Sequence, residues 1–292
     1  MNNENKVLAC VDRSPHLDNN IANTVADAAA WAASRMNAPL EFLHILDRHP
    51  EIGSSEDHSG AIGFDAQEHL LKELADKDAE KTRGMREAGR LFLNGLRERA
   101  IAAGVLAPDT RQRYGHLEES LAEQEAGVRL FVLGRRGESA ETTQRELGRN
   151  VENVVRALHK PILTVTENFK APQHFMIAFD GGEVTRRGVD MVANSPLLKG
   201  IPCLLLMAGK PDPEAPKKME WARSTLEKAG FSVSSEIIPG DTETVIARSI
   251  QEHNIDLLLM GAFNHSPLRK LLFGSRTNEL LRSAKVPTLL LR

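Results

Sequence analysis

A glycine-serine step, Gly274-Ser275, set between two apolar runs, is where this sequence comes nearest to chemistry. IDLLLM (residues 255–260) is followed by GAFNHSPLRKLLFGSRTNELLRSAK and then by VPTLLLR. Apolar runs of this length, bounded by Gly and Pro, read as buried parallel strands. Gly274 and Ser275 then fall where a loop meets the start of a helix over about residues 275–285. Backbone N–H groups and the positive end of the helix dipole point outward at such a place, which suits a phosphate. A tight loop entering a helix with no ligand fits the same residues, and local sequence leaves both readings open.

Other residues with chemical potential are fewer and more ambiguous. Asp180 ends the apolar run FMIAFD. The carboxyl ends of parallel strands are where ligands bind in open α/β sheets. A helix cap or turn before Gly181-Gly182 is the alternative. Arg135, Arg136 and Arg149 lie near a second glycine-flanked stretch, Gly134 to Gly148, and three guanidiniums near a helix start suit phosphate or carboxylate. The first reading of that stretch is nonetheless a degenerate loop serving stability and pairing, with the anion site as its alternative. Six of the ten histidines fall at or before His116. His16 and His44, with Asp12 or Asp47, could meet at one sheet edge as zinc ligands, but scattered hydrogen-bonded histidines are the commoner case and no metal site is expected. Cys10 and Cys203 lie far apart in apolar runs and read as buried structural thiols, with no disulfide framework and no C-x2-C pair.

The elements that must position these residues come twice in the same order. KVLACVD (6–12) and FMIAFD (175–180) are apolar strands ending in aspartate, each followed by a helical pattern, 20–35 and 185–194. LEFLHIL (40–46) and CLLLM (203–207) follow, each introduced by a proline. A helix running into Ala-Gly then appears around Gly104 and around Gly230. Tyr114-Gly115-His116 answers Pro239-Gly240-Asp241, and RLFVL (129–133) answers DLLLM (256–260), each followed by a glycine. Residues 147–165 answer 273–291. Strand-helix alternation of this kind implies right-handed βαβ crossovers and a parallel sheet with helices on both faces. The expected fold is therefore α/β, with two tandem domains, each an open five-stranded parallel sheet. The join falls near ENFKAPQ (167–173), which gives domains of residues 1–168 and 172–292. The first carries an insertion at about residues 50–90. Its part 51–63 reads as a mobile loop. From Asp65 to Arg99 eight acidic and eight basic residues alternate at helical spacing, a solvated helix face; a lid or docking surface is the lesser alternative.

Gly261, two residues, Asn264, nine residues, Gly274-Ser275 resembles the G-x2-G-x9-G-[ST] nucleotide loop of the universal stress protein family, and NELLRSAKVPTLLL resembles that family's closing helix and strand. The order of elements extends the resemblance over nearly the whole chain, as a tandem two-domain member with a Rossmann-like, adenine nucleotide alpha hydrolase-like fold. Asn264 stands in place of the second glycine; Asn tolerates a left-handed backbone, so the turn can survive. The resemblance implies that Ala178, Phe179 and Asp180 meet adenine and ribose, with Asp180 accepting from a ribose hydroxyl. It implies that Ala208 flanks the base and that Gly261, Phe263 and Asn264 line the ribose–phosphate path. Gly274, Ser275, Arg276 and Thr277 would hold the phosphates, Arg276 through a charge-assisted contact. The implied cofactor is ATP, with Mg2+ as its companion. The first half keeps Gly134 and Gly137, but ten residues precede Gly148, and Arg149 stands where Ser or Thr belongs. Family members pair through their last strands, so the two halves are expected to pair within the chain, and a homodimer is a further option.

Composition narrows the function classes. A formal net charge of −3 over 292 residues gives no global field toward nucleic acid or an anionic membrane. No apolar stretch approaches the roughly 18 residues that span a bilayer, and the first residues lack a secretory apolar core. Cytoplasmic residence is the expectation. There is no G-x4-G-K-[ST], no strand-borne G-x-G-x-x-G and no readable nucleophile-base constellation. AFDGGEVT lacks the first Ser of the S-G-G-x-D-S loop of ATP pyrophosphatases. The expected function is a nucleotide-dependent sensor or interaction protein with unidentified protein partners. A dedicated catalytic residue is not expected, and slow ATP hydrolysis or autophosphorylation marks the upper limit. The rival class is a nucleotide-independent scaffold or small-ligand binder.

Overall fold

The computed structural model describes residues 5–13, 20–46, 64–135, 149–166, 168–210, 212–261 and 286–292. The first half runs β1 (Lys6–Val11), α1 (Asn20–Met36), β2 (Leu40–Leu46), α2 (Phe64–Ala102), β3 (Asp109–Tyr114), α3 (Leu117–Ala122), β4 (Val128–Gly134), α4 (Arg149–Ala157) and β5 (Ile162–Val165). The second runs β6 (Phe175–Ala178), α5 (Glu183–Asn194), β7 (Cys203–Gly209), α6 (Ala215–Lys228), β8 (Val233–Pro239), α7 (Thr242–Glu252), β9 (Leu257–Gly261) and β10 (Thr288–Leu291). The strand order is β3-β2-β1-β4-β5-β10-β9-β6-β7-β8 in a single sheet. Every neighbouring pair is parallel except β5–β10, where the halves meet antiparallel with Thr164 opposite Thr288 and Ile162 opposite Leu290. The expected pairing through last strands is thus made within the chain.

Strand registers make the two halves superimposable on paper. Val7 pairs with Leu40 and Leu130, and Phe175 pairs with Cys203 and Leu257. Counting on from there, Asp12 corresponds to Asp180, Gly134 to Gly261, and His44 to Met207. The turn glycines after β3 and β8 share one backbone state, with φ of +139° at Gly115 and +143° at Gly240. Apolar alternation along the strands feeds two cores. Phe175, Ile177 and Phe179 pack on one face, Met176 and Ala178 on the other.

Helix α1 is seven-tenths of the way to an alanine rod on its packed faces. Ala22, Ala26, Ala28, Ala29, Ala30, Ala32 and Ala33 are all buried. Small side chains let it lie close to the sheet and to α2 at once, and alanine loses least on entering a helix. Helix α2 merges the charged insertion with the helix preceding β3: 39 residues without a break, about 58 Å at the usual rise. No proline interrupts 64–102, and interior glycines cost only about 1 kcal/mol each, so nothing local ends it. Toward the end nearest β3, Gly89, Leu93, Leu96 and Ala100 are buried at helical spacing. Around them Arg83, Arg86, Glu87, Arg90, Arg97, Glu98 and Arg99 are exposed, as the mixed charge implied. Arg99 grips Asp27 of α1 through two bonds of 2.5 and 2.8 Å. The expected loop at 51–63 lies outside the described residues.

Side chains also cross between halves. Arg35 at the end of α1 donates from Nε to the Leu197 carbonyl at 3.0 Å and from a terminal nitrogen to Lys199. Phe169, within the join, packs its ring 5.7 Å from that of Trp31, and Pro172 is buried. The join is therefore pinned to the first half rather than looping free of it.

Candidate functional site

Strands β9, β6 and β7 are adjacent, and their carboxyl ends bring together Gly261, Ala178, Asp180 and Ala208. Ala178 is buried and Ala208 half-buried on the same face, next to Leu206 and Met260. Ala178 lies opposite Leu206, so Ala208, two residues further along β7, is its diagonal neighbour on that face, and both side chains there are small. Phe179 behaves differently. Its N–H donates to the Leu206 carbonyl at 2.9 Å, and its ring turns to the opposite face, stacked 6.4 Å from Trp221 of α6 at 22°. What Phe179 presents to the edge is main chain rather than an aromatic surface.

Asp180 is held by its own turn. Oδ1 accepts from the Gly182 N–H at 2.8 Å and from Thr185 Oγ1 at 2.6 Å. Gly181 between them takes φ +74°, a left-handed state that L side chains resist. The alternative role anticipated for Asp180, a turn residue ahead of a helix, is thus part of what it does. Helix α5 also starts two residues earlier than the sequence pattern indicated, at Glu183. A carboxylate in front of α5 already answers that helix's positive end. Phosphates would be repelled there, which leaves Asp180 suited to donors such as ribose hydroxyls. A carboxylate has about four lone-pair sites, enough to accept one more bond.

Gly261 has a packing role. A Cβ there would fall 3.1 Å from Val184 Cγ1 and 3.4 Å from Thr185 Cγ2, so its lack of a side chain lets the first turn of α5 close onto β9. Phe263, Asn264, Gly274, Ser275, Arg276 and Thr277 lie outside the described residues.

The same edge in the first half carries Cys10, Asp12, Ile45 and Gly134. Arg135, offered by sequence as an alternative anion ligand, is engaged in the contact between the halves. It is 6% exposed and crosses the seam, donating from one terminal nitrogen to the Val286 carbonyl at 2.9 Å and to Thr288 Oγ1 at 3.0 Å. The cause is its register: it follows Gly134 beside β5, whose partner is β10, so its long side chain reaches the neighbouring half. Arg136 and Gly148 lie outside the described residues; Arg149 is the first residue of α4. Arg292 makes a reciprocal crossing, donating to the carbonyls of Arg156 and Leu158 at the end of α4, the latter at 3.0 Å.

His44, a candidate zinc ligand, is buried, with Nδ1 3.1 Å from the Val11 carbonyl and its ring edge-on to Phe92 at 5.6 Å. A carbonyl only accepts, so Nδ1 carries the proton. Burial pushes its pKa down, against upward pulls from the Val11 carbonyl and Asp12. His16 and Asp47 lie outside the described residues. Among the described residues no group of three or more His, Cys, Asp or Glu could hold a metal. Cys10 and Cys203 are both free thiols, each pushed up by burial, Cys10 additionally by Asp12. No helix among the described residues is long and apolar enough to cross a membrane.

Three residues bearing on the edge escaped sequence reasoning: Arg186 on α5, and Lys218 and Trp221 on α6. The available signal was faint, a basic-aromatic pair three residues apart on a helix after the second strand.

A model of the universal stress protein family matches residues 4–166 and again 173–292. A curated universal stress protein of Synechocystis is 32% identical over 289 residues, covering 98% of this chain and 99% of the relative. Among solved structures, a universal stress protein from Archaeoglobus fulgidus aligns with a TM-score of 0.65 at 14% identity, covering 99% of this chain and 97% of that one. A functionally unknown protein from Pseudomonas aeruginosa aligns at 0.57 and 17% identity, over 99% and 93%. Two tandem matches, a full-length relative and a sheet built twice on one strand order converge, and the chain belongs to the universal stress protein family.

Proposed function

We propose that this protein binds ATP or a related adenine nucleotide in its second half and acts as a nucleotide-dependent sensor or interaction module in the cytoplasm. Two free thiols, Cys203 buried and Cys10 partly buried, suit a reducing compartment. The units are residues 1–168 and 172–292. The observation that carries the reading is the convergence of Ala178, Asp180, Ala208 and Gly261 on one sheet edge. The base lies over the alanines beside the Phe179 main chain, and Asp180 accepts a ribose hydroxyl. Phe263 and Asn264 follow Gly261 along the path to the phosphates. Gly274, Ser275, Arg276 and Thr277 take the phosphates, and Mg2+ accompanies them.

The first half is the weaker candidate, because Arg135 is spent on the seam. One observation favours the rival scaffold reading: Asp180 Oδ1 is already bonded to its own turn. Titration calorimetry of the full chain with ATP and Mg2+ separates the two. One nucleotide per chain is expected, lost in Gly274→Val, whose branched side chain would fill the phosphate path. Two equivalent nucleotides per chain, or undiminished affinity in a folded Gly274→Val protein, would overturn the site; no binding at all favours the scaffold.

A further inference from the structure

The turn that presents Asp180 is clamped from behind by two helices. Arg186, one turn into α5, donates from Nε to the Gly181 carbonyl at 2.9 Å. Its guanidinium lies 4.8 Å from the centre of the Trp221 ring, and Trp221 stacks in turn on Phe179. The result is a column of Gly181 carbonyl, guanidinium, indole and phenyl that ties the turn to α6 and to the end of β6. Lys218, three residues before Trp221, covers the other side of Gly181: a Cβ there would meet Lys218 Cδ at 2.5 Å. Lys218 is itself held by Asp212 at 2.8 Å.

Two consecutive glycines have much conformational freedom to lose, so an Asp-Gly-Gly turn does not hold one shape unaided. Here the carbonyl of Gly181 is fixed by Arg186, its Cα by Lys218, and the Gly182 N–H by Asp180 itself. The rotamer of Asp180 is therefore set by α5 and α6 together. We propose that Arg186, Trp221 and Lys218 are positioning residues that aim Asp180 at the ribose and so set both nucleotide affinity and the preference for an intact ribose. This rests on the nucleotide reading of the second half. Arg186 suits the task because a planar guanidinium stacks and donates at once, which an ammonium does not match.

The test uses the full chain and calorimetric affinities for ATP and its 2′-deoxy and 3′-deoxy analogues. Arg186→Met is expected to weaken ATP about tenfold and to bring the ratio of ATP to deoxy-analogue affinities toward one. Trp221→Leu acts in the same direction, and Arg186→Lys recovers part of the loss. A variant with native circular dichroism that keeps wild-type affinity and ratio overturns the proposal. A nucleotide-free measurement keeps this separate from the parent reading: hydrogen exchange at the Gly182 amide. If the wild type binds no nucleotide, the parent reading fails. Faster Gly182 exchange in Arg186→Met than in the wild type then upholds the clamp, and equal exchange removes it.

Discussion

Asp12 and Asp180 follow the first strands of the two halves at equivalent registers, but the strands beside them are furnished differently. In the first half, β2 carries His44 under α2 and a buried Glu41, 2.6 Å from Lys6 and 3.1 Å from Arg111. In the second, the equivalent positions are Met207 and Leu204, both buried and apolar. Past β4 the first half sends Arg135 across the seam; the residue after Gly261 is Ala262. One half has put charge into its interior and its partner contact, and the other has kept small and apolar strand ends. Buried ion pairs are weak evidence for stability, since desolvation offsets most of their attraction. The two halves divide the labour, the first shaped for holding and the second for an open edge.

Substitutions at the seam should cost most. Arg135→Met removes a charged donor from one buried and one partly buried acceptor and should cost about 2–3 kcal/mol in urea unfolding. Arg292→Met, whose crossing is partly solvent-exposed, should cost about 1 kcal/mol. Equal losses would break the claim that the first half contributes more to the seam. Next comes a pair of glycines. Gly181→Ala places a side chain at positive φ against Lys218 and should destabilise by about 1–2 kcal/mol. Gly84→Ala, in α2 with nothing near its Cβ position, should stabilise by about 0.5–1 kcal/mol. Thermal melts would check both signs.

The smallest effect belongs to His44. Its folded pKa is held below the ordinary value by burial, so the unfolded chain takes up the proton first as pH falls. The stability tied to neutral His44 is complete above about pH 6.5 and is lost as pH drops from there toward the lowered folded value. His44→Met, the residue found at the equivalent place in the second half, should flatten that part of the stability-pH curve. An unchanged slope would show that other groups carry it.

Strand positions, the duplication and the strand ends were readable because apolar runs, terminal aspartates and turn glycines are local signals. The continuity of α2 was obscured by its own composition: mixed charge without an apolar stripe before residue 89 does not distinguish a separate insertion from an extension. The partners of Arg135 were not readable because Val286 and Thr288 lie about 150 residues away, and a sequence holds no direction for a side chain at a seam. The turn of the Phe179 ring toward Trp221 follows strand alternation. The stacking of Trp221 with Arg186 depends on how α5 and α6 meet, which neither helix encodes alone.

The antiparallel β5–β10 junction has a consequence for how the chain is made. Ile162 to Val165 are synthesised with the first half, but their partner, Thr288 to Leu291, follows roughly 130 residues later, and closing such a long loop is entropically slow. During translation the first half can complete four parallel neighbours and still present an apolar, open strand edge. That interval invites capture by a chaperone or pairing with the wrong nascent chain. Arg135 then acts as a late latch, engaging Val286 and Thr288 only once the final strand has arrived.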